Sequence, residues 1–184
     1  MLPALLYSDL FVLFVGINPD LDSSASGHFY EGRSNHFWHC LNATDLVSYR
    51  VSPKDDSKLP RDFGLGFTNI CRRPTRTAKE LHDNEIVEGL EVLKLKIERY
   101  QPAFVCFLGI DMYKKYIKKR TITPRLQKEK CRWGAREHDV IRFFVMPSTS
   151  ARVVAFQRDD KVKLFQELSK EVELFRVATY LLTS

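Results

Sequence analysis

Short, wholly apolar runs alternate along this chain with longer stretches whose apolar residues recur every three or four positions. The wholly apolar runs are Leu10–Gly16 and Ala103–Leu108; Gly66–Ile70 and Ile141–Met146, interrupted by Thr68 and Asn69 and by Arg142, also read as strands. Each has the length of a strand, and unbroken apolarity marks strands covered on both faces. Between them, Ile86, Leu90, Leu93 and Ile97 form one helical stripe, and Val162, Phe165, Leu168, Val172 and Phe175 form another. The first of these helices is expected to begin at Thr77–Glu80, which has capping-box spacing, and to run to about Tyr100, where Pro102 stops it. Residues 111–120 read as helix, and Phe37, Trp38 and Leu41 as a short helix capped by Ser34 or Asn35. Ser48–Asp62 is polar, carries Pro53 and Pro60, and reads as a surface loop. The basic, irregular stretch up to Asp139 leaves room for an edge hairpin.

Apolar strands alternating with amphipathic helices predict an α/β fold, a three-layer α/β/α sandwich around a central, mainly parallel sheet. No repeat, low-complexity tract or linker divides residues 1–184, so a single domain is expected. In open parallel sheets ligands bind beyond the carboxyl ends of the strands. That rule places Gly16–Pro19, after the first strand, and Met146–Arg152, after the last, on the same rim.

Composition narrows the chemistry. The chain has 184 residues, 29 Lys and Arg against 23 Asp and Glu, and a net charge of +6. This excess suits a polyanionic partner without demanding one. Cys40, Cys71, Cys106 and Cys131 lie far apart and read as reduced thiols of an intracellular protein. The apolar opening up to Ile17 lacks a basic n-region and is too short to span a bilayer, so no membrane partner is expected. His28, His36, His39 and Cys40 match no usual zinc spacing, and no metal site is expected. The absence of GxGxxG and P-loop motifs argues against nucleotide-cofactor enzymes. Lys114–Arg136 is rich in basic residues and reads first as a solvated face, second as a contact to DNA.

Five motifs in order, Gly16-Ile-Asn-Pro19, Gly27-His-Phe-Tyr30, Asn35-His-Phe-Trp38, Gly66-Phe-Thr-Asn69 and Met146-Pro-Ser-Thr-Ser-Ala-Arg152, resemble those of the mismatch-specific uracil/thymine DNA glycosylases. The similarity runs from about Leu10 to Lys170. It implies a uracil-DNA glycosylase-like fold, no cofactor, and a monomer acting in the nucleus on double-stranded DNA with a G·U or G·T mismatch. Asn18 would position the water that attacks the sugar; a carboxamide oxygen can accept a hydrogen bond from it without being a strong base. Ile17 and the backbone of residues 17–30 would meet the base edge, Tyr30 would stack on the extruded base, and Asn69 would line the pocket. Ser148, Ser150 and Ala151 would hold flanking phosphates, while Arg152 would fill the gap left by the flipped nucleotide.

Two features depart from the pattern. Asp20 stands where much of the family has glycine, and reads either as a second catalytic group or as a brake on activity. Phe29 replaces a position often polar in the vertebrate thymine enzymes, and Ser23 stands near their small pocket-wall residue. Arg73-Pro-Thr75 resembles the uracil-preferring bacterial branch. The implied activity is monofunctional, because no lysine lies in the pocket motifs to form a Schiff base. The alternatives are a uracil- or hypoxanthine-selective glycosylase that ignores thymine, a non-catalytic mismatch binder, and an enzyme for a small phosphorylated metabolite held by Ser148 and Ser150.

Overall fold

A computed structural model describes residues 2–134 and 139–183. Its strands are β1 (Val12–Gly16), β2 (Leu65–Asn69), β3 (Phe104–Leu108), β4 (Arg125–Arg132) and β5 (Val140–Met146). Its helices are α1 (Leu21–Ser26), α2 (Phe37–Leu41), α3 (Leu59–Phe63), α4 (Asp83–Tyr100), α5 (Ile110–Ile117) and α6 (Arg158–Thr183). The strands form one sheet in the order β2-β1-β3-β5-β4. All neighbours pair in parallel except β4, which closes the edge antiparallel to β5.

Because successive strand residues point to opposite faces, each apolar strand feeds two cores. Val12 and Phe14, Phe104 and Cys106, and Phe144 and Met146 pack on the face covered by α2, α3 and α6. Leu13 and Val15, Val105 and Phe107, and Phe143 and Val145 pack on the other, under α4 and its stripe Ile86, Leu90, Leu93 and Ile97. The three layers expected from the pattern are therefore present. Phe14 centres the first core, its ring 5.1 Å from Phe37 and 5.9 Å from Phe165.

Some expectations change. The segment Ser48–Asp62 is not a plain surface loop: it forms a 3-10 turn at Pro53–Lys58 and then α3. The backbone N–H and hydroxyl of Ser52 donate to Asp55 Oδ2 at 2.9 and 2.8 Å, capping the turn. Pro53 and Pro60 stand in first turns, where a missing N–H costs nothing. Leu59 is fully buried. The Thr77–Glu80 capping box closes only the single turn Ala78–Glu80. Leu81 then becomes extended, and α4 starts at Asp83, where Glu85 Oε2 accepts the His82 N–H at 2.9 Å. The helix α1 was not anticipated. Asp20 caps it by accepting the Ser23 N–H at 2.7 Å, and Gly27, at φ 79°, ends it.

Among the described residues the basic stretch holds one edge strand, β4, which pairs antiparallel with β5, rather than a hairpin of its own. Residues 135–138, including Arg136, lie outside the described residues. Among the described residues no helix is long and apolar enough to cross a membrane, and no group of three metal-ligating side chains converges.

Candidate active site

The loops following β1 and β5 meet at the carboxyl edge of the sheet and, with the segment following β2, enclose a cleft of about 570 Å³. Ile17, Asn18, Tyr30, Ser148, Ser150 and Arg152 all line it, although they come from two distant stretches of sequence. A larger groove of about 760 Å³ beside α6 holds none of the expected residues.

Asn18 has a defined aim. Its Nδ2 donates to the Arg73 carbonyl at 2.9 Å, to Thr75 Oγ1 at 2.7 Å and to the Pro19 carbonyl at 3.2 Å. A carbonyl can only accept, so these partners settle which end of the amide is nitrogen. The Oδ1 is thereby turned from the loop and left as an acceptor on a cleft-lining residue.

Thr75 completes this arrangement. Its hydroxyl accepts from Asn18 and donates to the Thr77 carbonyl at 2.8 Å, and its N–H donates to the Pro19 carbonyl at 3.2 Å. The residue is buried at 4 % exposure. Its neighbour Arg73 is fixed by a two-pronged pair with Glu85, both contacts at 2.8 Å, and by the Glu80 carbonyl at 2.7 Å. The Arg73 guanidinium holds the Glu85 carboxyl down to about 2. Sequence reasoning marked Arg73-Pro-Thr75 only as a branch resemblance and missed its part in orienting Asn18.

Tyr30 occupies the left-handed region at φ 55°, a strained conformation for a residue with a side chain. Its ring stacks on Phe37 with centroids 4.3 Å apart and also lines the cleft. The hydroxyl is buried without a protein hydrogen-bond partner among the described residues. Burial above all, then Cys106 and Asp20, raises its pKa well beyond the ordinary phenol range, so it stays neutral. Phe29, by contrast, is a core residue, 5.3 Å from the Phe67 ring.

Asn69, expected to line the pocket, pairs in register with Gly16 and is not itself among the residues lining the cleft. A methyl group on Gly16 would lie 2.4 Å from Asn69 Oδ1 and 3.0 Å from the Tyr30 hydroxyl. Glycine is thus what allows these two side chains to converge there.

On the opposite wall, Ser148 Oγ accepts the Ser150 N–H and Ser150 Oγ accepts the Arg152 N–H, both at 3.3 Å. Arg152 is exposed and reaches across the cleft to donate to the Arg76 carbonyl. Ala151 is exposed beside it, outside the lining. Arg76 and Lys79, which the sequence reading did not single out, add two cations to the cleft, and Asp20 and Asp22 add two carboxylates. Asp20 serves as the α1 cap through one oxygen, while the other lies 3.6 Å from where a Gly32 side chain would begin.

Fold and cleft together define an α/β/α protein with an open site that joins an oriented amide, an aromatic wall and a serine-rich turn. The sequence profile of the uracil DNA glycosylase superfamily matches residues 6–172, and the chain belongs to that superfamily. It is 29% identical over 169 residues to a Schizosaccharomyces pombe protein described as a G/U mismatch-specific uracil DNA glycosylase. That match covers 90% of this chain but only 52% of the relative, so the chain spans about half of the relative's length. A Methanosarcina acetivorans protein, solved by solution NMR as a candidate uracil DNA glycosylase, shares the fold with a TM-score of 0.54 at 15% identity. The alignment spans 90% of this chain and 95% of that one.

Proposed function

We propose that this chain is a monofunctional DNA glycosylase that extrudes uracil, or thymine, mispaired with guanine and hydrolyses its N-glycosidic bond to leave an abasic site. The aim of Asn18 carries the reading. With its nitrogen committed to Arg73 and Thr75, Oδ1 accepts a hydrogen bond from a water and holds it for attack on the sugar carbon as the base departs. An amide tethered at 2.7 and 2.9 Å has little freedom to turn, which suits a step that depends on orientation more than basicity.

Tyr30 then offers an aromatic face to the extruded base. Ser148 and Ser150, with the backbone around them, take the flanking phosphates. Arg152 enters the duplex after releasing the Arg76 carbonyl. The G·U specificity named for the fission-yeast relative supports uracil opposite guanine as the first substrate to test; thymine is the extension. Lys79 qualifies the monofunctional reading, since it lies in the cleft although in none of the five motifs.

The test is a strand-cleavage assay on duplexes carrying uracil, thymine or hypoxanthine opposite guanine, each followed by alkali. Asn18→Ala should lower base release by roughly two to three orders of magnitude while duplex binding stays nearly intact. A variant that keeps most of its rate would remove Asn18 from the mechanism. Binding without turnover by the unaltered protein would instead favour a mismatch binder. Strand breaks without alkali, or a borohydride-trapped adduct lost in Lys79→Ala, would overturn the monofunctional assignment.

A further inference from the structure

Lys161 is a buried lysine for which the proposed chemistry has no use. It begins the second turn of α6 and is only 1 % exposed. Lysine is almost never fully buried unless paired. Yet among the described residues no carboxylate pairs with it. Its Nζ donates to the Ser150 carbonyl at 2.8 Å and lies 3.4 Å from His36 Nδ1. Desolvation costs this ammonium part of its basicity, a loss that the nearby Cys40 thiol offsets only in lesser part.

The surroundings show what that cost maintains. His36 heads α2, and its backbone N–H donates to the Thr149 carbonyl at 2.9 Å. The Val153 N–H joins Lys161 on the Ser150 carbonyl at 3.2 Å. Two consecutive carbonyls of the Ser148–Arg152 turn are thus drawn inward, toward α2 and α6. Ser148 and Ser150, whose hydroxyl oxygens accept the Ser150 and Arg152 N–H groups, line the cleft and are the residues that the proposed function directs at phosphate.

We propose that Lys161 is a positioning residue for DNA: a buried cation without a counter-ion that pins the Ser150 carbonyl and supplies positive potential behind the phosphate-gripping turn. The inference rests on the glycosylase reading and assigns one of its affinities to a residue that never touches DNA. An anion bound at Ser148 and Ser150 would be the missing counter-charge, and interior charges are screened far less than exposed ones.

The contact also makes the turn sensitive to pH. To accept from Lys161, His36 must be neutral at Nδ1. The ionisable groups acting on His36 are His39 from α2 and Arg158 and Lys161 from α6, none of them a carboxylate. Desolvation first, and then Lys161, Arg158 and His39, lower the His36 pKa. The folded state therefore binds fewer protons at this site than the unfolded chain. The stability it contributes is present above the ordinary histidine range and is lost as pH falls through it. Protonation would place two cations against each other beneath the turn.

The test uses the full chain, with Lys161→Met to keep the stem without the charge, and Lys161→Gln to keep a donor for the Ser150 carbonyl. Melting establishes that each is folded. Affinity for a duplex carrying an abasic site opposite guanine, and single-turnover uracil release at saturating enzyme, are then compared with the unaltered protein. NMR follows the His36 imidazole through pH in the absence of DNA. The expected result for Lys161→Met is a loss of affinity of about tenfold, a saturated rate within about twofold, and an upward move of the His36 titration. Lys161→Gln should lose affinity similarly, because the charge is gone. Unchanged affinity in a folded variant, equal losses in affinity and saturated rate, or a His36 titration that stays in place would overturn the proposal. Should Lys161→Met fail to fold, Lys161→Gln and its His36 titration decide the matter. No binding or uracil release by the unaltered protein would defeat the glycosylase reading itself, which the DNA-free titration does not depend on.

Discussion

A single methyl group at Gly16 tests the base pocket most directly. Gly16 ends β1 beside Asn69, and a Cβ there would sit 2.4 Å from Asn69 Oδ1. Heavy-atom contacts settle at about 3.5 Å, so in Gly16→Ala the Asn69 amide must retreat by about 1 Å. The Tyr30 hydroxyl, at 3.0 Å, must yield by about half as much. It has less room, because its ring is stacked on Phe37 and flanked by Phe29. Overpacking of this kind costs about 1–3 kcal/mol, and the low end is expected because the nearest atom ends a side chain. The catalytic cost should exceed the structural one. A displacement of about 1 Å can reduce a rate by about a hundredfold when the moved groups orient the reacting base. Single-turnover uracil release from a G·U duplex should therefore fall by about that factor, while the affinity for abasic product, which the proposed function assigns to Ser148–Arg152 on the other wall, changes little. If the melting temperature drops but the rate stays within about threefold, Asn69 and Tyr30 do not orient the base and their assignments fail.

Thr75→Val removes one of the acceptors holding Asn18 Nδ2 and leaves the Arg73 carbonyl, so uracil release should fall about tenfold and return in Thr75→Ser; no recovery in the serine variant would mean that the hydroxyl is not what orients Asn18. Arg152→Ala should lower activity on mismatched duplex far more than on single-stranded uracil DNA, where nothing needs holding open; equal losses would reject the wedge and leave an ordinary backbone contact. Asp20→Gly sacrifices the α1 cap at a cost of a few tenths of a kcal/mol, which melting should register. If the carboxylate is a brake, as its place in the cleft proposed to take DNA favours, turnover rises; a fall makes it catalytic, and no change makes it a cap alone.

What could be read in the chain and what could not divides along physical lines. The parallel strands were legible because a strand covered on both faces must be apolar at every position, and Val12–Val15 and Phe104–Leu108 satisfy that without interruption. The helix α4 was legible because eighteen residues display several periods of its stripe. By contrast α1, α2 and α3 are five or six residues long, too short for a period to show. Only α2 betrayed itself, through its aromatic residues and the Asn35 side chain that accepts the Phe37 N–H at 3.0 Å. At Thr77 the cap was genuine but served a single turn, because a second cap at His82–Glu85 lay just downstream.

The site was legible in the same uneven way, for a reason that lies in its construction. Motif residues such as Asn18, Tyr30 and Arg152 identify themselves by type and setting, and the parallel topology requires the loops after β1 and β5 to share an edge. Their aim is set by groups without any sequence signature: the carbonyls of Arg73, Arg76 and Ser150, and the N–H groups of Ser150 and Arg152. Any residue type offers a carbonyl, so no pattern could have shown that Asn18 spends its nitrogen on Arg73 and frees its oxygen. Lys161 is the extreme case. It sits one position before the Val162–Phe165–Leu168 stripe, where a lysine reads as the polar border of an amphipathic helix. Only the fold shows that this border is buried against Ser150 and His36. A cation hidden there is costly to keep in an ordinary core, and it becomes intelligible when the turn above it must receive an anion.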